Sequence, residues 1–117
     1  MKNLKLTEIN ISGYADPPYC AEARDARQKV EADAHARAGV ALLAAAILYL
    51  DTGRKRWVRV GGDEEGYAFS RDRKGERGST RVIVTRRYGR RFFGFYMDPR
   101  QDYHYWQVEY VYEQEAE

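Results

Sequence analysis

AGVALLAAAILYLDTG, residues 38–53, is the stretch on which the fold turns. Alanine is the strongest helix former, and the large apolar residues here fall on almost every side of a helical wheel. A helix that is apolar nearly all round is buried on more than one side. The run from Ala38 to Leu50 is well short of the ~20 residues that cross a bilayer, so it is expected to lie against protein. Asp51-Thr52-Gly53 closes it, with Gly53 suited to the left-handed C′ position and Arg54-Lys55-Arg56 placed near the negative end of the dipole. Toward the N-terminus only Gly39 interrupts the pattern until Asp16-Pro17-Pro18, where an Asp N-cap and proline in the first turn open a helix. The spacing predicts one long helix over about 17–51. Its first half carries pairs at helical spacing, Asp25–Lys29, Arg27–Glu31, Lys29–Asp33 and Asp33–Arg37, which mark a solvated surface.

Two stripes separate on this helix. Val40, Leu43, Ile47 and Leu50 are large and suit packing onto a sheet. Ala34, Ala38, Ala41 and Ala45 are small and would let a second backbone approach closely. Since one long helix is expected, that second backbone would belong to another copy, and a homodimer through the alanine stripe is an expectation to test. The alternative is that the chain's own sheet covers it.

Around the helix the pattern is β. Leu4, Leu6, Ile9 and Ile11 predict a first strand over 3–12, with a register slip between Leu6 and Ile9, ended by Gly13. After Gly53 come a strand over Arg56–Val60, a turn over Gly61–Gly66 and a strand over Tyr67–Arg71. The polar run DRKGERGS, 72–79, is an exposed loop. Strands follow over Thr80–Tyr88, Arg91–Met97 and Tyr103–Tyr112, with turns at Gly89-Arg90 and at Asp98-Pro99-Arg100-Gln101. The reading is an α+β single domain over 1–112 in β-α-β-β-β-β order, one long helix packed against an antiparallel meander sheet, with an acidic solvated tail at 113–117. The order is similar to that of cystatin-like, helix-grip folds. The likeness is one of topology alone, because no glutamine–x–valine–x–glycine hairpin is present and neither Trp57 nor Trp106 follows a proline.

The 117 residues are enough for one core, and 44% apolar with 32% charged content is that of a globular domain. Cys20 is the single cysteine, so no internal disulfide forms and a reducing, cytoplasmic location is expected. The first twelve residues alternate polar and apolar and lack the apolar core of a signal peptide. The net charge of +2 conceals an asymmetry: residues 1–53 carry −1, residues 54–100 carry +8, and residues 101–117 carry −5. Such a basic middle segment points to an acidic partner, unless its arginines simply guard exposed strand faces and edges.

Arginine and aromatics concentrate in TRRYGRRFFGFYMDPRQDYHYW, residues 85–106. Alternation puts Phe93, Phe95, Trp106 and Val108 in the core and leaves an outward set of Arg86, Tyr88, Arg90, Phe92, Tyr96 and Tyr103. Arg91 to Asp98 is similar to the RNA-contacting octamer of RNA-recognition-motif domains at Arg91, Phe93, Gly94 and Phe95. Phe92, Tyr96 and Asp98 depart from it, and no second helix follows the strand, so that family is set aside. The candidate binding residues are therefore Arg86, Arg87, Tyr88, Arg90, Arg91, Phe92, Tyr96 and Tyr103, joined by Arg73, Lys74 and Arg77 from a mobile loop. No catalytic residue, cofactor or metal site is expected. His35 and His104 are far apart with no ligand-spaced neighbours, GGDEEG at 61–66 reads as a turn, and Asp98 and Asp102 read as turn formers.

The function expected is that of a small non-catalytic binding or inhibitor protein, with no membrane partner. Its basic-aromatic β surface would engage a protein with an acidic or nucleic-acid-handling surface. Anti-defence proteins of phages and mobile elements, such as anti-CRISPR proteins, share this compact build without catalytic residues. Two other readings stay open. One is direct nucleic-acid binding. The other is a small-ligand cup of nuclear-transport-factor-like type lined by Tyr49, Trp106 and Tyr110.

Overall fold

The computed structural model describes residues 3–15, 20–55, 57–60, 63–88 and 104–115, with backbone alone at 14–15, 20–26, 63–65, 88 and 104–105. Its centre is β6, His104–Gln114, where Trp106, Val108, Tyr110 and Tyr112 alternate onto one buried face. Along one edge β6 pairs antiparallel with β1, Leu4–Ala15, and along the other with β5, Arg81–Tyr88; β4, Ala68–Asp72, then pairs with β5. The result is a four-stranded antiparallel sheet of order β1-β6-β5-β4. Residues opposite one another share a face, so Ile9–Tyr110–Val84–Phe69 form one apolar row across all four strands.

The slip anticipated in β1 is a β-bulge between Leu6 and Glu8. Before it Leu4 and Leu6 face Gln114 and Tyr112; after it Ile9 and Ile11 face Tyr110 and Val108. One extra residue, Thr7, thus brings both apolar pairs to the same face. Its hydroxyl donates to the Val111 carbonyl at 3.3 Å.

Two helices cover that face: α1, Cys20–Arg37, and α2, Val40–Thr52. The single long helix expected is broken at Ala38-Gly39, and the two axes differ by 71°. Gly39 is extended (φ −144°, ψ −162°) and serves as the N-cap of α2, its carbonyl accepting from the Leu43 N–H at 3.2 Å. Glycine is the weakest link of an alanine-rich helix, and a straight rod could not keep both halves on one twisted sheet. Asp33 and Arg37 do form their helical-spacing ion pair. Gly53 takes the left-handed conformation expected of it (φ 71°), donating to the Tyr49 carbonyl at 2.8 Å.

The break also changes which helical residues face inward. Leu42, Ala45, Ala46 and Leu50 are buried, while Leu43 and Ile47 are half-buried and Val40 is 84% exposed. The large stripe expected to pack on the sheet is therefore rotated partly outward, because α2 starts afresh at Gly39. The alanine stripe does not form one surface: Ala34 and Ala45 lie within the chain's own core, Ala38 is half-buried and Ala41 is exposed.

The core is completed by contacts between the layers. The Tyr110 side chain is fully buried and its hydroxyl donates to the Ala34 carbonyl at 2.9 Å, matching a polar atom near the C-terminal end of α1. Burial, with Tyr67 nearby, pushes the Tyr112 phenol up to about 12. Tyr49 packs on Phe69 with ring centroids 5.5 Å apart, and the Arg27 guanidinium stands 6.0 Å over the Trp106 ring. Of the residues named for the cup reading, Trp106 and Tyr110 are buried and Tyr49 is half-buried against Phe69.

Three further expectations differ from the structure. The turn anticipated at 61–66 contains a strand, β3, Asp63–Glu65, which pairs with β2, Val58–Val60, as a small separate sheet. The strand expected over Arg91–Met97 lies outside the described residues, but β5 pairs with β6 over Arg81–Tyr88 and with β4 over Arg81–Thr85. In a meander, strands two apart run parallel; β5 and β6 pair directly and antiparallel, so no strand intervenes between them. Finally, β6 continues through Gln114 into the stretch expected as a solvated tail, and the Glu115 N–H donates to the Asn3 carbonyl at 2.9 Å. What the structure supports is an α+β domain with an antiparallel sheet; the described residues do not confirm the cystatin-like topology.

Candidate interaction surface

The connection from β4 to β5 is built by two carboxylates. Asp72 at the end of β4 grips Arg81 at the start of β5 through two parallel bonds, Nε to Oδ1 at 2.9 Å and the guanidinium NH2 nitrogen to Oδ2 at 3.0 Å. Asp72 Oδ1 also accepts the Lys74 N–H at 3.0 Å. From the neighbouring strand, Glu113 Oε1 accepts the Glu76 N–H at 2.7 Å and the Ser79 hydroxyl at 2.6 Å. Inside the loop, Gly75 N–H donates to the Ser79 carbonyl at 3.1 Å, and Arg77 and Gly78 adopt left-handed φ values of 58° and 74°. The segment expected to be a mobile loop is thus a bonded turn, and it presents Arg73, Lys74 and Arg77 exposed.

These bonds favour the ionised carboxylates. The Asp72 carboxyl is lowered from 3.8 to about 2, chiefly by its bonds to the Arg81 side chain, then by the Lys74 N–H. Glu113 is lowered as well, chiefly by the Ser79 hydroxyl and the Glu76 N–H. A carboxyl depressed in the folded state stabilises the fold above its unfolded pKa and loses that contribution as pH falls through the folded value. The gap in melting temperature between the wild type and Asp72→Asn is therefore expected to be constant above about pH 5 and to close toward pH 2. Melting curves of the two proteins across that range check it; a gap that does not narrow contradicts the pairing.

Cations and anions alternate around this turn. A groove of about 540 Å³ is lined by Lys5, Glu76, Arg77, Ser79, Glu113 and Glu115 among others. The open face of the sheet continues in the same style, with Arg81 between Asp72 and Glu113, and Arg87 opposite Gln107. Alternation placed Arg86 in the outward set. The register instead sets it opposite Val108, on the helix-covered face, half-buried with its guanidinium 6.0 Å from the Tyr67 ring. Arg87 is the exposed member of that pair. Tyr88 ends β5 opposite Trp106 by backbone register. Arg90, Arg91, Phe92, Tyr96 and Tyr103 lie outside the described residues.

One exposed aromatic escaped the sequence reading. Trp57 is 66% exposed and lies against Gly66, where an added Cβ would come within 3.0 Å of the indole. Shallow clefts flank it, one of about 230 Å³ with Lys55, Gly66 and Tyr67, the other of about 240 Å³ floored by Ala41, Ala44 and Ala45. Val58 is buried, so alternation sends Trp57 and Arg59 outward, a choice of face that the sequence pattern alone leaves open.

Among the described residues no three of His, Cys, Asp and Glu come together as a metal site, and no single helix is long and apolar enough to cross a membrane. No family model, curated protein or solved structure matches the chain.

Proposed function

We propose that this chain is a non-catalytic binding protein that docks, through the basic turn between β4 and β5, onto an acidic and phosphate-mimicking surface of a protein partner. The observation that carries the reading is the way the turn is held. Asp72 and Glu113 are engaged by Arg81, Ser79 and backbone N–H groups, while Arg73, Lys74 and Arg77 project exposed from a preorganised backbone. Preorganisation lowers the ordering cost of association. A protein partner is favoured over nucleic acid because Glu76, Glu113 and Glu115 line the adjoining groove. A polyanion backbone would be repelled along that track, whereas a protein surface can match charges of both signs. Trp57 adds an exposed aromatic of the kind that anchors protein interfaces.

Reversing Lys74 and Arg77 together to glutamate is expected to weaken the complex recovered from the source cell at least about tenfold, or about 1.4 kcal/mol, with the melting temperature nearly unchanged because both side chains are exposed. A complex indifferent to this double change sinks the proposal. So does recovery of nucleic acid with affinity that collapses between about 50 and 200 mM salt, which is the direct nucleic-acid reading.

A further inference from the structure

At the C-terminal end of α2 the covered face of the sheet ends in a cleft of about 500 Å³, lined by Leu50, Arg71, Asp72, Arg73, Thr80 and Gln114. The register sets Arg71 opposite Val82, so it leaves the sheet on the side that α2 covers, just beyond the buried Leu50. The Gln114 N–H donates to the Thr80 carbonyl at 2.9 Å, which holds the two polar side chains of the opposite wall on adjoining backbone. The Asp72 charge is answered by Arg81 through its two-bond pair. Arg71 and Arg73 remain as the uncompensated charges, and among the described residues neither joins an ion pair.

We propose that this cleft is an oxyanion site that receives a carboxylate side chain of the partner. Two guanidinium groups offer forked N–H donors that match the two oxygens of a carboxylate. The Thr80 hydroxyl and the Gln114 amide supply further neutral donors. A phosphate group has the same donor requirement, but a phosphodiester chain leaving the cleft past Gln114 would meet the neighbouring groove, where Glu113 and Glu115 stand. A single acidic side chain enters without that repulsion. The inference rests on the protein-partner reading above and supplies its anchor point.

The test uses the full chain in a titration followed by the arginine Nε–Hε resonances, with succinate, inorganic phosphate and a ten-nucleotide oligo-dT as probes at matched ionic strength. Succinate is expected to give saturable shifts at Arg71 and Arg73, with the affinity falling at least tenfold in Arg71→Gln and less in Thr80→Val. Phosphate competing for the same resonances supports the shared oxyanion chemistry. Shifts that rise linearly without saturating, or an affinity unchanged in Arg71→Gln, overturn the site. Oligo-dT binding there more tightly than succinate overturns the carboxylate assignment. The two proposals fail separately. Loss of the site with a partner complex still sensitive to Lys74→Glu and Arg77→Glu removes the cleft alone. Saturable succinate binding without any such complex removes the docking reading alone.

Discussion

Tyr110→Ala is expected to lower the free energy of unfolding by about 3–5 kcal/mol, the cost of removing a fully buried aromatic from a core that cannot collapse around the gap. Tyr110 sits on the central strand, between Ile9 and Val84, and is fully buried beneath the helices. A domain of this size has only about 5–15 kcal/mol in total, so the variant is expected to lose a large share of its stability and to unfold at a much lower urea concentration. Tyr110→Phe separates packing from the hydrogen bond. It keeps the ring and removes the hydroxyl that donates to the Ala34 carbonyl, which still accepts the Ala38 N–H at 3.1 Å. Its cost is accordingly about 1 kcal/mol. Urea unfolding followed by circular dichroism distinguishes the two, and equal costs for both variants would contradict the packing described.

The second large effect is expected at Gly75. A Cβ there would lie 2.2 Å from the Ser79 hydroxyl and 2.8 Å from both Glu113 Oε1 and the Ser79 carbonyl. The hydroxyl can rotate away, but the carbonyl is backbone and cannot. Gly75→Ala therefore forces the turn open and releases the bonds from Glu76 and Ser79 to Glu113, at a cost of about 1–3 kcal/mol. Gly78→Ala provides the comparison. Its φ of 74° carries a conformational penalty, yet nothing lies within 4 Å of the added carbon. That variant is expected to cost about 1 kcal/mol and to leave the Glu113 bonds in place. Amide exchange of Glu76 and Ser79 reads the difference: rapid exchange at Gly75→Ala, near-native protection at Gly78→Ala. If the turn is the docking element, Gly75→Ala also loses the partner while Gly78→Ala keeps it.

Local signals in the sequence were legible where one residue settles the geometry. Gly53 after an alanine-rich helix is left-handed as expected, and the phase change between Leu6 and Ile9 is a bulge because only an added residue keeps four aliphatics on one face. The positions of β1, β2, β4, β5 and β6 were legible for the same reason of period. Neighbour relations were not. Alternation divides β5 into two sets without saying which is inward, and it is the pairing of Arg86 with Val108 that turns this arginine to the helices. Nor does any local pattern join Glu113 to Ser79 across thirty-four residues, or tell that the acidic β3 segment pairs with β2. Gly39 was visible as a weak point, but no local pattern gives the 71° angle between the two helices. Of the candidate surface, the cations Arg73, Lys74 and Arg77 were readable. The rigidity that makes them a surface depends on contacts distant in sequence.

The position of β6 has a consequence for how the chain acquires its shape. The strand at residues 104–114 is the one that β1 and β5 both lean on, and among the described residues β1 has no other partner in the sheet. During synthesis the first strand must wait, unpaired, until the ribosome has released a segment about a hundred residues downstream. Until then, of the described elements, α1, α2, the small β2–β3 hairpin and the β4–β5 pair can form from neighbouring sequence. Nearly all the cooperativity of folding therefore arrives at once and late, and a nascent chain stalled before residue 104 exposes the apolar faces of β1 and β5 to whatever else is nearby.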